Sequence, residues 1–352
     1  DRCCKGGLAM EKIFLEILNM SLSGSLLILV VLIARLLLKK APKWISCVLW
    51  GLVAVRLVCP LSIESAISLL PSAKPVPADI AMMPRPEIDT GISAINQVVN
   101  HVIERNFTPA PMASANPLQI FNFMAAWIWI AGIIVILIYA IVSYGLLYKK
   151  LRSSISFEEN IRLCDYIETP FILGIIRPSI YLPSGISEEQ FHHVIAHEKA
   201  HLKRLDHIWK PLGFGVLAIH WFNPLVWISY AMLCKDIEMA CDERVISDFD
   251  RESTVSYSQA LLECSAGKRT FIVCPLAFSE VSVKDRIKHV LNYKKPSSLI
   301  ICIAAIICVI VAVCFLTNPK QKLVTDDYNL TEANLVDGEL TEADKQQRYL
   351  EY

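Results

Sequence analysis

Long apolar runs closed by clusters of lysine and arginine constrain this chain more than any other feature. Ile13 to Leu38 is interrupted only by Glu16 near its start and Arg35 near its end, and about 20 apolar residues suffice for a helix to cross a bilayer. Lys39, Lys40 and Lys43 follow, so the positive-inside rule makes that loop cytoplasmic and the N-terminus external. No small-residue cleavage site follows and the run exceeds a signal-peptide core, so it is a retained span. Ile45 to Ile63 returns outward, with Arg56 near the outer end, where its side chain can snorkel to the interface. Gln119 to Tyr148 is a third span closing on Lys149, Lys150 and Arg152. Ser298 to Thr317 is a fourth, preceded by Lys284, Arg286, Lys288, Lys294 and Lys295. A composition 54% hydrophobic and 19% charged agrees with a membrane protein. The formal net charge of zero gives no reason to expect nucleic-acid binding.

These spans divide the chain. Residues 1–9 precede Met10, and Lys5-Gly6-Gly7 can be encoded by a ribosome-binding sequence, so they are expected to be a mis-extended start. Residues 10–63 carry the first two spans, and 64–118 form an external proline-rich loop with one short helix around Ile92 to Ile103. After the third span (119–148), residues 149–297 form a cytoplasmic domain. The fourth span (298–317) leads to a short, acidic, external tail (318–352). Within that tail Asn329-Leu330-Thr331 fits a glycosylation acceptor, which is irrelevant in a bacterium. Ten of the twelve cysteines fall in apolar runs or in the cytoplasmic stretch, no Cys-x-x-Cys pair occurs, and they read as small buried hydrophobes in a reducing compartment.

The chemistry lies in His197-Glu198-Lys199-Ala200-His201. On a helix, residues four apart share a face, so both imidazoles converge and supply two of the three protein ligands of a catalytic zinc. Glu198 is placed to act as general base on a water beside it. Lys199 points away from that face. Ser187-Glu188-Glu189-Gln190 has the form of a capping box that starts the helix, and Phe191, Val194, Ile195 and Leu202 supply its apolar stripe. His192 and His193 are read as solvent-facing. Glu238 and Asp242, four apart on a second helix, face the same way, as in the Glu-x-x-x-Asp pattern of gluzincins. There the Glu binds zinc and the Asp hydrogen-bonds a ligand histidine. Ile208 to Leu233 is apolar but broken by Asn223 and Pro224. A full crossing would separate Glu238 from His197, so it reads as a helical hairpin that dips into or lies under the bilayer. Thr169 to Pro183 reads as two short strands around a Gly or Pro turn, one an edge strand suited to holding extended substrate.

Taken together, His197-Glu198-Lys199-Ala200-His201, Trp221 to Trp227, Glu238 to Val245, Pro170-Phe171-x-x-Gly174, and Leu49-Trp50 through Arg56-Leu57 resemble the BlaR/MecR-type membrane metallopeptidases from about Met10 through the fourth span. The resemblance implies an α-helical multi-pass protein of four spans in a bacterial cell membrane. Its cytoplasmic, mostly α, gluzincin-like zinc-peptidase domain contains a short β-hairpin. It further implies one zinc ion held by His197, His201 and Glu238, with Glu198 catalytic and Asp242 behind the ligands. The implied partners are a cytoplasmic winged-helix repressor, the lipid bilayer and a second copy in a homodimer. Cleavage of the repressor, and self-cleavage between Val281 and Lys295, are the implied reactions in antibiotic-resistance signalling. His220, Tyr230 and Arg244 are candidates to stabilise the oxyanion. The tail is too short for the family's penicillin-binding sensor domain, and Ser265-Ala266-Gly267-Lys268 is a chance match to its Ser-x-x-Lys on the wrong side of the membrane. The signal is then read by the outer loop, the tail or a partner, or the tail is a truncated remnant. Two other readings are a housekeeping membrane protease for misfolded or lipidated proteins and a non-proteolytic regulator with a structural metal. Neighbouring genes and dependence on Glu198 separate them.

Overall fold

The computed structural model describes residues 2–60, 63–72, 74–83, 86–107, 117–265 and 283–319. The expectations for Asn329, Gly267 and Lys268, and the start of the self-cleavage segment at Val281, lie outside these residues.

Among the described residues, three helices are long and apolar enough to cross a membrane. They are α1 (Arg2–Leu37, apolar from Ala9), α4 (Pro117–Leu151) and α10 (Ser298–Leu316). The second expected span, α2 (Lys43–Val58), has 16 residues. That is a rise of roughly 24 Å, short of a hydrocarbon core about 30 Å thick. Arg56 does not snorkel out. It is buried in α2, donating from Nη2 to Asn318 Oδ1 (3.0 Å) and from Nε to Ser23 Oγ (3.2 Å). Two-residue strands β1 (Glu64–Ser65) and β6 (Asn318–Pro319) pair in parallel just beyond, so the chain leaving α2 meets the chain leaving α10. The loop helix α3 (Ser93–Phe107) occurs where a short helix was expected.

Past α4, the single expected hairpin is part of a four-stranded sheet: β2 (Ile155–Glu158), β3 (Ile161–Cys164), β4 (Phe171–Leu173) and β5 (Ser179–Pro183), in the order β2-β3-β5-β4. The expected strands are the antiparallel pair β4–β5, with β4 at an edge. Gly174, at φ +108°, makes their turn, where a Cβ would lie 2.6 Å from Arg177 O. β3 adds to β5 in parallel. The pairing of β3 with β5 is non-local, and β2, whose Ile155-Ser156-Phe157-Glu158 alternates apolar and polar over only four residues, is exposed along its length.

The helical part is α5 (Glu188–Lys203), α6 (Asp206–Ile219), α7 (Pro224–Ile246), α8 (Arg251–Ser265) and α9 (Val283–Leu291). α6 and α7 form the hairpin expected from Asn223 and Pro224. Asn223 caps α7 by accepting from Leu225 N (2.9 Å), and Pro224 follows at the first turn, where its missing N–H costs nothing. The tip runs as far as the distal end of α2: His220 Nε2 bonds Leu57 O (3.0 Å), and Asn223 Nδ2 bonds Ser21 Oγ (2.8 Å) and Ser25 Oγ (2.7 Å). Around it Leu27, Leu49, Trp50, Leu217 and Val226 are buried in one apolar core shared by α1, α2, α6, α7 and α10.

α4 holds the tip through two indoles. Trp129 Nε1 donates to Ile219 O (2.8 Å) and Trp221 Nε1 to Trp129 O (3.1 Å). Gly132 admits Trp221, since a Cβ there would fall 2.2 Å from Trp221 Cε2. Gly132→Val therefore drives the indole off α4. The expected cost is about 1–3 kcal/mol, measured as a lowered melting temperature in detergent, whereas Gly145→Ala, with open space at its Cβ, leaves it unchanged.

Candidate metal centre

α5 is a two-faced helix. Val194 is buried with Ile161, Ile180 and Leu182 of the sheet, and Phe191, Ile195 and Leu202 pack onto the same cluster. The adjoining face turns His197, Glu198 and His201 inward, all three buried, while Lys199 is exposed. Ser187 takes the N-cap position with extended backbone but makes no side-chain cap bond, so the capping box is not formed as expected. α5 ends at Arg204, and Leu205 adopts φ +59°, a left-handed conformation that costs a non-glycine residue roughly 1–3 kcal/mol. The reversal it produces starts α6 and returns Asp206 to the histidine face.

The two imidazoles meet edge on, Nε2 to Nε2, at 3.1 Å. Their other nitrogens are held by partners. His201 Nδ1 lies 2.8 Å from Asp206 Oδ2, and His197 Nδ1 lies 2.9 Å from the Tyr257 hydroxyl, which donates to Asp242 Oδ1 at 2.7 Å. A hydroxyl that gives its proton to Asp242 accepts from His197, so Nδ1 carries hydrogen and Nε2 presents a lone pair. Glu238, on α7, completes the cluster: its Oε2 is 3.5 Å from His197 Nε2 and its Oε1 is 3.6 Å from His201 Nε2. A tetrahedral metal about 2.0–2.1 Å from each ligand atom separates those atoms by about 3.3 Å, so the three residues fit one divalent ion.

Cys241 lies one turn beyond Glu238. Its Sγ falls within 4.8 Å of ligand atoms of both His197 and His201, so His197, His201 and Cys241 form a possible metal-binding group among the described residues. The thiol contacts His197 O (3.3 Å), a backbone acceptor that competes for it. Glu238 and Cys241 are thus alternative or joint third donors.

Charge surrounds the ligands. Lys210 Nζ donates to Glu238 Oε1 (2.7 Å), and Arg286 donates to Asp242 from Nε (2.9 Å) and Nη2 (2.7 Å) while its Nη1 lies 3.4 Å from Glu238 Oε2. Burial alone would raise the Glu238 carboxyl, but Lys210, His201 and Arg286 hold it well below the carboxylate range. Burial, reinforced by Asp242, pushes the Tyr257 phenol well above its ordinary value, so it remains a hydroxyl donor. Burial opposes a charge on His197, yet Cys241 and Glu238 outweigh it and raise the imidazole to about 9.

These side chains line a cavity of about 140 Å³ walled by Thr169 to Ile172 of the β4 edge, α5, α8 and α9. His193 lines it too, bonded through Nε2 to Ser256 Oγ (3.1 Å), so only His192 faces solvent. His220, Tyr230 and Arg244 do not line it. His220 is at the hairpin tip, Tyr230 packs on Phe214, and Arg244 is exposed. Asp206, Lys210, Tyr257 and Arg286 are site residues that motif reading missed. Asp206 carried a local signal, five residues after His201. Tyr257 and Arg286 come from helices with no spacing relation to α5, and Arg286 sat in a basic run that reads as a topology signal.

Apolar helices of crossing length together with this buried cluster place the chain among membrane metallopeptidases. Residues 15–290 match the family described as BlaR1 peptidase M56, and the chain belongs to it. The methicillin resistance mecR1 protein of Staphylococcus aureus (strain Mu50) is 27% identical over 329 residues, covering 83% of this chain and 54% of that protein. The protein of the same name from Staphylococcus epidermidis gives the same figures. Regulatory protein BlaR1 of Bacillus licheniformis is 29% identical over 241 residues, 60% of this chain and 39% of that protein. The chain spans about half the length, or less, of these relatives.

Partners behind a ligand histidine typically change metal affinity 10–100-fold when removed. Asp206→Asn is expected to weaken metal binding by roughly that factor, read by competition with a chromogenic chelator, with Lys199→Ala as the unaffected control.

Proposed function

We propose that this chain is a bacterial integral-membrane zinc metalloendopeptidase of signal transduction that cleaves a cytoplasmic transcriptional repressor. The observation that carries the reading is the convergence of His197 Nε2, His201 Nε2 and the Glu238 carboxylate at tetrahedral-edge distances, with Glu198 in the same cleft. His197, His201 and Glu238 hold the zinc, and Asp242, Tyr257 and Asp206 orient the histidines. Zinc bound there supplies Lewis acidity to the scissile carbonyl and the attacking water. Glu198 takes the proton from that water as it attacks and delivers it to the departing amine nitrogen. The β4 edge offers free backbone groups to an extended substrate beside Glu198.

The names of the relatives, methicillin resistance protein and regulatory protein, support a resistance-regulating role and a repressor of the winged-helix type as partner. A cytoplasmic site follows from the basic loop at Lys39 to Lys43. Glu243, one residue past Asp242, accepts from Lys43 N (2.8 Å), so the site and that loop share one end of α2. Self-cleavage before the last span is best placed at residues 292–297, which have no regular structure, since α9 is helical and substrates of such clefts are extended. A homodimer in the bilayer remains part of this proposal.

One observation favours a second reading. If Cys241 joins His197, His201 and Glu238, four protein ligands close the coordination sphere, as in a structural site, and the chain is a non-proteolytic regulator. The deciding experiment uses detergent-solubilised full chain, with zinc content and cleavage of itself and of a co-expressed repressor measured for wild type and Glu198→Gln. The expected result is zinc retained in both and cleavage reduced by about 10²- to 10⁴-fold in the variant. Equal zinc with no Glu198-dependent cleavage would establish the second reading.

A further inference from the structure

We propose that Arg286 receives the substrate carbonyl oxygen beside the metal and stabilises the charge that builds on it, an inference that rests on the peptidase reading above. The guanidinium is buried on α9 and lines the cleft. Its Nε and Nη2 edge is locked on Asp242 in a two-pronged pair (2.9 and 2.7 Å), and its Nη1 lies on the Glu238 side (3.4 Å from Oε2). A guanidinium has five N–H groups: two are spent on Asp242, Nη2 also lies 3.2 Å from His197 Nε2, and the Nη1 pair is left fixed on the Glu238 side of the ligand cluster.

Several other donors of the cleft are engaged. The Tyr257 hydroxyl donates to Asp242 and accepts from His197, His193 Nε2 is on Ser256, and Lys210 Nζ donates to Glu238. His207 also lines the cleft, with a buried Nδ1 that makes no hydrogen bond. A neutral imidazole is the weaker choice for a developing negative charge. A permanently charged, rigidly held fork is the stronger one, because donors already in place need no reorganisation as the reaction proceeds.

The step is balanced as follows. The water oxygen forms a bond to the carbonyl carbon, the π pair moves onto the carbonyl oxygen, and Arg286 donates hydrogen bonds to that oxygen without losing a proton. When the C–N bond breaks, the pair returns to re-form the carbonyl, and the amine leaves with the proton delivered by Glu198.

α9 is attached to α7 at two further points, Lys235 with Asp285 and Glu243 Oε1 with His289 Nε2 (2.9 Å). These permit a control, because Asp285→Asn loosens the same attachment without touching the cleft. The test compares detergent-solubilised full-length wild type, Arg286→Gln, Arg286→Lys, Asp285→Asn and His207→Gln. Three quantities are read: zinc content, kcat and KM on a peptide the wild type cleaves, and affinity for a phosphonamidate peptide, an uncleavable mimic of the tetrahedral state.

Arg286→Gln is expected to keep its zinc, lose about 10²- to 10³-fold in kcat with KM little changed, and lose phosphonamidate affinity by a similar factor. Arg286→Lys and added guanidinium ion should restore part of both, and Asp285→Asn should match wild type. Loss of zinc in step with activity, an equal loss in Asp285→Asn, or loss of phosphonamidate binding in His207→Gln but not Arg286→Gln overturns the proposal. Full activity of Glu198→Gln would sink the peptidase reading itself and this inference with it, a result distinct from any of the preceding three.

Discussion

Asp236, Glu238, Asp242 and Glu243 are buried carboxylates within little more than two turns of α7. A buried charge is tolerable only when paired and hydrogen-bonded, and each of these finds its partners on other helices. Asp236 takes Arg35 of α1 (Nη2 to Oδ1, 2.7 Å) and the Trp50 indole of α2 (2.9 Å). Glu238 takes Lys210 of α6, Asp242 takes Tyr257 of α8 and Arg286 of α9, and Glu243 takes the first amide of α2 together with His289. One helix thereby fixes the positions of five others.

That arrangement explains how a metal centre is built at the foot of a membrane bundle. The apolar first half of α7 belongs to the hairpin core, and its acidic second half lies against α5. The left-handed turn at Leu205 folds α6 back so that Asp206 supports His201 while Lys210 supports Glu238. Arg204 extends the same line outward, bonding Asp206 through Nε (3.2 Å) and lying 3.6 Å from Cys47 Sγ of α2. Side chains behind the ligands therefore reach the helices of the bundle through one or two contacts.

Much of this was legible in the chain because the decisive spacings are local. His197 and His201 four apart, Glu238 and Asp242 four apart, and the Asn223-Pro224 break each determine geometry within a few residues. The hairpin could be inferred because a ligand on the far side of a membrane is impossible. What was not legible is non-local. The oxyanion candidates taken from sequence are set apart from the cleft, whereas Tyr257 and Arg286 enter from helices whose approach only the packed chain defines. Arg56 was misjudged for the same reason, since Asn318, 262 residues away, supplies its partner. β2 and β3 escaped notice because each is only four residues long and β3 pairs with a strand beyond its neighbour in sequence.

The way α7 is anchored bears on what a fragment of this protein would be. Cutting before residue 149 to obtain the metal-binding part in soluble form would remove Arg35, Trp50 and the Lys43 amide. Asp236 and Glu243 would then lose those partners beside the site, and the apolar flank of the hairpin would face water. Water would then reach the very helix that carries Glu238 and Asp242, so the bundle forms the other half of the site's interior.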